Sequence, residues 1–156
     1  MKHVIPVSLF CVFGVFATGS LAETYSVSRT LETNASSQTV WHLIGDFCDI
    51  DDWHPAITAC DLKVIEGGLH RVLQLADGAE FLEKRVASES GLSYTYSIET
   101  SPLPIERYVG TLSVTAGDAT TITWSTRFKS DDPEMEAFVG SIFDAGMAEI
   151  AAQLAQ

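Results

Sequence analysis

The stretch FCDIDDWHPAITAC, residues 47–60, concentrates reactive side chains: two cysteines, three aspartates, a tryptophan and a histidine. Three chemistries compete for it. A metal site would use Asp49, Asp51, Asp52 and His54, but their spacing matches no structural zinc pattern. The stretch also lacks the glycine and closing glutamate of a calcium loop. A nucleophilic site would need Cys48 as a free thiolate beside His54. A staple would join Cys48 to Cys60 and hold Trp53-His54-Pro55 in place. His54 could then act as an acid or base near neutral pH, or make one structural hydrogen bond.

A second candidate lies in RVLQLADGAEFLEKR, residues 71–85. A three-residue hairpin loop, Ala76-Asp77-Gly78, with Gly78 left-handed, sets Leu75 opposite Ala79, Leu73 opposite Phe81 and Arg71 opposite Glu83. A two-residue loop would set Arg71 against Lys84, an unfavourable like-charge pair. The first register puts Arg71 and Glu83 on the apolar face, where charge must be paired. The pair is then either a polar anchor for a ligand's carboxylate or carbonyl, or a structural ion pair. Tyr94, Tyr96, Tyr108 and Trp124 form a third group, on the same face of three strands. Singly they read as core. Together their polar tips need partners that a cavity with a few polar groups would supply. Tyr94 and Tyr96 precede the loop TSPLPIE, whose Leu103 could close over a mouth. No catalytic triad, phosphate loop or dinucleotide fingerprint is present in the sequence, so His54, Tyr94 and Arg71 are catalytic candidates by placement alone.

The compartment decides the cysteine chemistry. The chain begins MKHVIPVSLFCVFGVFATGSLAETYS: a basic start, an apolar run and small residues before Ala22. That layout predicts a secretory signal peptide over 1–22 and a mature domain over 23–156. Pro6 and Gly14 break the run, which falls short of the roughly 20 apolar residues of a membrane span. The expected location is periplasmic or secreted. Removing the segment removes Cys11 and leaves two cysteines, which an oxidising compartment pairs. Free buried thiols or a metal pair are the alternatives. The mature part carries eight basic and 21 acidic residues, a net −13. Such a surface repels nucleic acid and anionic lipid, and no later segment is apolar enough to span a membrane.

The elements that must position these residues follow from periodicity. Residues 24–33 alternate as a strand. Asn34 caps a short helix carrying Val40, Trp41 and Ile44, closed by Gly45. A second helical turn covers 49–53 and stops at His54-Pro55. Period two then runs through 58–66, 69–76, 79–89, 92–99, 106–116 and 119–129, with Gly67-Gly68, Asp77-Gly78, Ser90-Gly91 and Gly117-Asp118 as turns. Asp132 caps a final helix with Pro133 in its first position. Its apolar stripe is Met135, Phe138, Val139, Ile142, Met147, Ile150 and Leu154, and Gly140 and Gly146 suit a close backbone approach or room for a guest. The fold class is α+β: a curved seven-stranded antiparallel sheet around a long C-terminal helix, with two short helices after the first strand.

The segments VWHLIGDF, DWHPAI, RVLQLADGAEFLEKRV, SYTYSIETSPLPIERYVGTLSV and TTITWSTRF resemble the polyketide cyclase/dehydrase-like group of the START/Bet v 1-like (SRPBCC) superfamily, over about 24–154. The resemblance implies the helix-grip fold and a deep apolar cavity between sheet and last helix, its mouth made by loops and the second short helix. The inward aromatics, the Arg71–Glu83 pair and the two helix glycines favour a small hydrophobic partner bearing a polar group; the resemblance allows a cyclase/aromatase activity as an alternative, and a side-chain-filled interaction domain is a third reading. No cofactor and no metal are expected. The ligand-facing set is Trp53, His54, Arg71, Leu73, Glu83, Tyr94, Tyr96, Tyr108, Trp124, Phe138 and Ile142.

Overall fold

The computed structural model describes residues 22–156. The expected signal segment lies outside them apart from Ala22, and so does Cys11. The chain runs β1 (Glu23–Thr33), α1 (Ser37–Ile44), α2 (Ile50–Trp53), β2 (Ile57–Ile65), β3 (Gly68–Leu75), β4 (Glu80–Glu89), β5 (Ser93–Thr100), β6 (Glu106–Thr115), β7 (Thr120–Ser130) and α3 (Met135–Leu154). The seven strands form one antiparallel sheet in the order β1-β7-β6-β5-β4-β3-β2. This is the helix-grip arrangement: the sheet curls around α3, and the core lies between them.

Alternation builds the sheet. Along β7, Thr120, Ile122, Trp124, Thr126 and Phe128 are buried while their neighbours are partly or fully exposed. The β3–β4 register pairs Arg71 with Glu83 and Leu73 with Phe81, as the charge argument requires. Gly78 has φ +87°, a left-handed conformation that glycine adopts without a Cβ penalty. Bulges between Leu82 and Glu83 and between Arg85 and Ala87 bend β4 where it crosses β5.

Both expected helix caps differ from those observed. Ser36, not Asn34, caps α1: its hydroxyl accepts the Thr39 N–H at 3.1 Å. Asn34 precedes the cap, in the bend that leaves β1. Asp132 accepts the Glu134 N–H at 2.9 Å, so it closes a turn ahead of α3 rather than the helix, which starts at Met135. The buried stripe of α3 runs through Met135, Val139, Phe143, Met147 and Ile150. It includes Phe143, which the expected stripe lacked. Phe138, expected in the stripe, is 44% exposed.

Gly146 lets α3 approach the core closely. A Cβ there would stand 2.8 Å from His54 Cδ2, 2.9 Å from Trp124 Cζ3 and 3.1 Å from Trp53 Cζ3. Only a residue without a side chain lets three buried rings reach the helix backbone. Gly110 plays the same part on β6, where a Cβ would meet Tyr96 Cζ at 2.6 Å.

Candidate functional site

Sheet and helix do not close completely on one another. A cavity of about 310 Å³ lies between them. Leu73 and Leu75 of β3, Phe81 and Glu83 of β4, Tyr96 and Ile98 of β5, Tyr108 of β6 and Trp124 of β7 form the sheet wall. Phe138, Val139, Ile142 and Phe143 of α3 face them. Ile50, His54, Ala56 and Ile57 close one side, and Leu103 and Ile105 of the β5–β6 loop another. The volume is at the lower end of the ~300–1,000 Å³ range of small-molecule sites, and the walls are apolar with few polar groups, as such sites are.

Cys48 and Cys60 are bridged, with Cα atoms 5.5 Å apart. The bridge ties the chain entering α2 to β2. Asp51 adds a second tie, accepting the Cys60 N–H at 3.0 Å. The α1–α2 segment is thereby fastened to the sheet, and the aspartates serve that connection and the surface. Among the described residues, no three His, Cys, Asp or Glu side chains converge as a metal site would require.

His54 lines the cavity, but both ring nitrogens are engaged. Nε2 lies 3.1 Å from the Ile142 carbonyl and Nδ1 accepts the Ala56 N–H at 3.2 Å. One nitrogen donates and the other accepts, which is the neutral imidazole. Burial lowers its pKa, outweighing the bond to Ile142 that favours the charged form. The ring also meets Trp124 edge-on, with centroids 5.8 Å apart. His54 thus fastens the loop after α2 to the middle of α3.

Arg71 stands behind the cavity wall rather than in it. It is 1% exposed, and its Nε donates to Glu83 Oε2 at 2.7 Å. Its Nη1 donates to the Phe47 carbonyl. The guanidinium lies 4.3 Å from the Phe47 ring centroid and 5.1 Å from that of Tyr96, within cation–π range. Burial alone would lower the Arg71 pKa, but the charge of Glu83 holds it above its ordinary value. Burial raises the Glu83 carboxyl and Arg71 opposes that rise. A buried guanidinium this close keeps the pair ionised, because neutralising either partner leaves the other charge unpaired. The cavity therefore meets the carboxylate and not the cation.

The aromatic group divides. Trp124 Nε1 donates to Tyr96 Oη at 3.0 Å, and Tyr96 Oη lies 3.3 Å from Tyr108 Oη. All three line the cavity. Burial raises the Tyr96 pKa well above the ordinary phenol value and pushes Tyr108 up to about 12. Tyr94 is on the same sheet face but outside the cavity. It packs against Trp41 and Phe47, with centroids 6.3 and 5.5 Å away. Trp53 is also outside it, packed edge-on against Trp124 at 5.5 Å, with its Nε1 unpartnered among the described residues. Of the expected ligand-facing set, His54, Leu73, Glu83, Tyr96, Tyr108, Trp124, Phe138 and Ile142 line the cavity; Trp53, Arg71 and Tyr94 support it from behind.

Sequence reasoning missed several wall residues, chiefly Phe81, Ile98, Ile105 and Phe143. Phe143 stacks on Trp124 with centroids 4.0 Å apart and planes 9° from parallel. Its signal was available: Val139, Phe143 and Met147 recur every four residues, followed by Ile150 three later.

The profile of a family described as polyketide cyclase / dehydrase and lipid transport matches residues 24–155. A solved protein from Bacillus thuringiensis is 29% identical and superposes with a TM-score of 0.77, covering 85% of this chain and 100% of that one. XoxI from Bacillus cereus is also 29% identical, with a TM-score of 0.74 over 84% of this chain and 96% of its own. The Zhui aromatase/cyclase from a Streptomyces species shares the fold at 14% identity, with a TM-score of 0.71 over 85% and 94% of the two chains. No curated protein matches.

Proposed function

The chain belongs to the polyketide cyclase/dehydrase and lipid transport family, in the START/Bet v 1-like superfamily, and on that premise we propose that it is an exported binding protein for a small hydrophobic molecule with one polar group. The observation that carries this is the 310 Å³ cavity, apolar apart from the Glu83 carboxylate, the Tyr96 and Tyr108 hydroxyls, and the His54 and Trp124 ring nitrogens. Its aromatic walls exclude water from a guest, and the polar cluster gives that guest an orientation. Export by residues 1–22 is part of the same proposal. The Cys48–Cys60 bridge supports it, since such bridges persist in oxidising compartments.

Binding is favoured over acid–base turnover because the candidate catalysts are engaged elsewhere. His54 has both nitrogens bonded, Arg71 is bound to Glu83 and Phe47, and Tyr94 is off the cavity. A general acid or base must reach the substrate proton directly or through one water.

The test is a panel of lipids, aromatics and steroids followed by tryptophan fluorescence, which Trp124 in the cavity wall reports. We expect saturable binding by apolar members of the panel and its loss in Leu75→Trp, where an indole would occupy the cavity. Equal signals from both proteins would place the ligand elsewhere and reject the cavity as the site.

A further inference from the structure

Resting on this cavity reading, we infer that its polar end is a subsite for a hydroxyl group, so that the preferred ligand is a neutral alcohol or phenol. The inference comes from counting donors and acceptors. Glu83 is 5% exposed, and only its Oε2 is bonded to Arg71. Its Oε1 takes no hydrogen bond among the described residues, although the carboxylate lines the cavity. The wall therefore presents one strong acceptor without a partner.

The tyrosines supply the complementary donor. Trp124, Tyr96 and Tyr108 bring three donor protons to two mutual contacts, Nε1 to Tyr96 Oη and Oη to Oη. Each contact uses one proton, so one phenolic O–H remains, for which a ligand oxygen competes with the Thr126 hydroxyl beside Tyr108. Neither phenol bonds to Glu83 among the described residues. Burial disfavours ionising either phenol, so that proton stays in place.

A ligand hydroxyl both donates and accepts, and it satisfies both groups at once. An ether or ketone only accepts, leaving Glu83 Oε1 dried and unpaired once the ligand displaces water. A carboxylate also brings a second negative charge to Glu83, which like-charge repulsion opposes. The cation that would welcome it, Arg71, is enclosed by Phe47, Tyr96 and Glu83. The sequence left the Arg71–Glu83 pair open as an anchor for a carboxylate or carbonyl or as a structural ion pair; the geometry favours a hydroxyl over a carboxylate at the Glu83 side.

The experiment is calorimetric titration of the protein produced from the full chain with 2-naphthol, 2-methoxynaphthalene, 2-naphthoate and 2-methylnaphthalene at neutral pH. At least one unpaired buried group per mismatched head predicts that 2-naphthol binds more tightly than each of the others, by about 10–100-fold or more. Tyr108→Phe should narrow that advantage, and the wild-type series decides the question if this variant does not fold. Binding of 2-methoxynaphthalene, 2-naphthoate or 2-methylnaphthalene as tight as that of 2-naphthol overturns the hydroxyl subsite and leaves the cavity reading standing. No binding by any of the four overturns both.

Discussion

Gly146→Ala sets two known effects against each other. In the interior of a helix alanine is favoured over glycine by about 1 kcal/mol. Here the added methyl would stand 2.8–3.1 Å from ring atoms of His54, Trp124 and Trp53. Ordinary carbon contacts lie at about 3.5–4.0 Å, so all three rings must retreat. None can do so freely. His54 is held through both nitrogens, Trp124 through its bond to Tyr96 and its stack on Phe143, and Trp53 is buried against Trp124. Overpacking of this kind costs about 1–3 kcal/mol, with three simultaneous contacts placing it at the upper end. Net of helix propensity, we expect a loss of about 1–2 kcal/mol. Urea unfolding followed by far-UV circular dichroism reads this as a lower midpoint at unchanged slope. Gly140→Ala is the control, because its Cβ would meet only Arg29 Nη2, the end of an exposed side chain whose surface pair with Asp144 costs little to shift. That variant should be as stable as the parent or more so. A Gly146→Ala protein as stable as the parent would refute the close-approach role given to this glycine.

Reduction of the Cys48–Cys60 bridge, or Cys48→Ala with Cys60→Ala, should lower stability by about 3 kcal/mol, the loop-entropy value for a closure of this length, read from urea midpoints with and without reductant. Glu83→Gln leaves Arg71 buried without its counter-charge and should cost about 3–5 kcal/mol, whereas Arg71→Met with Glu83→Leu should recover most of that loss; a double variant no more stable than Glu83→Gln would contradict the pairing argument. His54 carries a pH signature. Its folded pKa is lowered by burial, so below about pH 6.5 the unfolded chain takes up a proton that the folded chain refuses, and stability falls with pH. His54→Phe removes that proton uptake, so its midpoint should fall less between about pH 7.5 and about pH 5 than that of the parent.

Strand faces were legible in the sequence because period two is a local property. The β3–β4 register was legible because one alternative opposed two positive charges. Depth along a strand was not. Tyr94 and Tyr96 share a face, yet a two-residue step moves Tyr94 from the cavity to the aromatic cluster under α1, where Trp41 and Phe47 fill the space. Alternation cannot report that step, and the bulges in β4 carry no periodic signal of their own. Arg71 was correctly paired with Glu83, but which of the two faces the cavity depends on Phe47, which reaches Arg71 from a segment 24 residues earlier. The role of His54 was hidden for the same reason: its partner, the Ile142 carbonyl, lies 88 residues away.

Native mass spectrometry of freshly purified protein addresses the binding proposal most directly. A mature chain beginning at Glu23, two hydrogens lighter than its reduced form and carrying a small apolar guest in part of the population, is the expected spectrum. A ligand-free chain that also takes up nothing from the lipid, aromatic and steroid panel would contradict it.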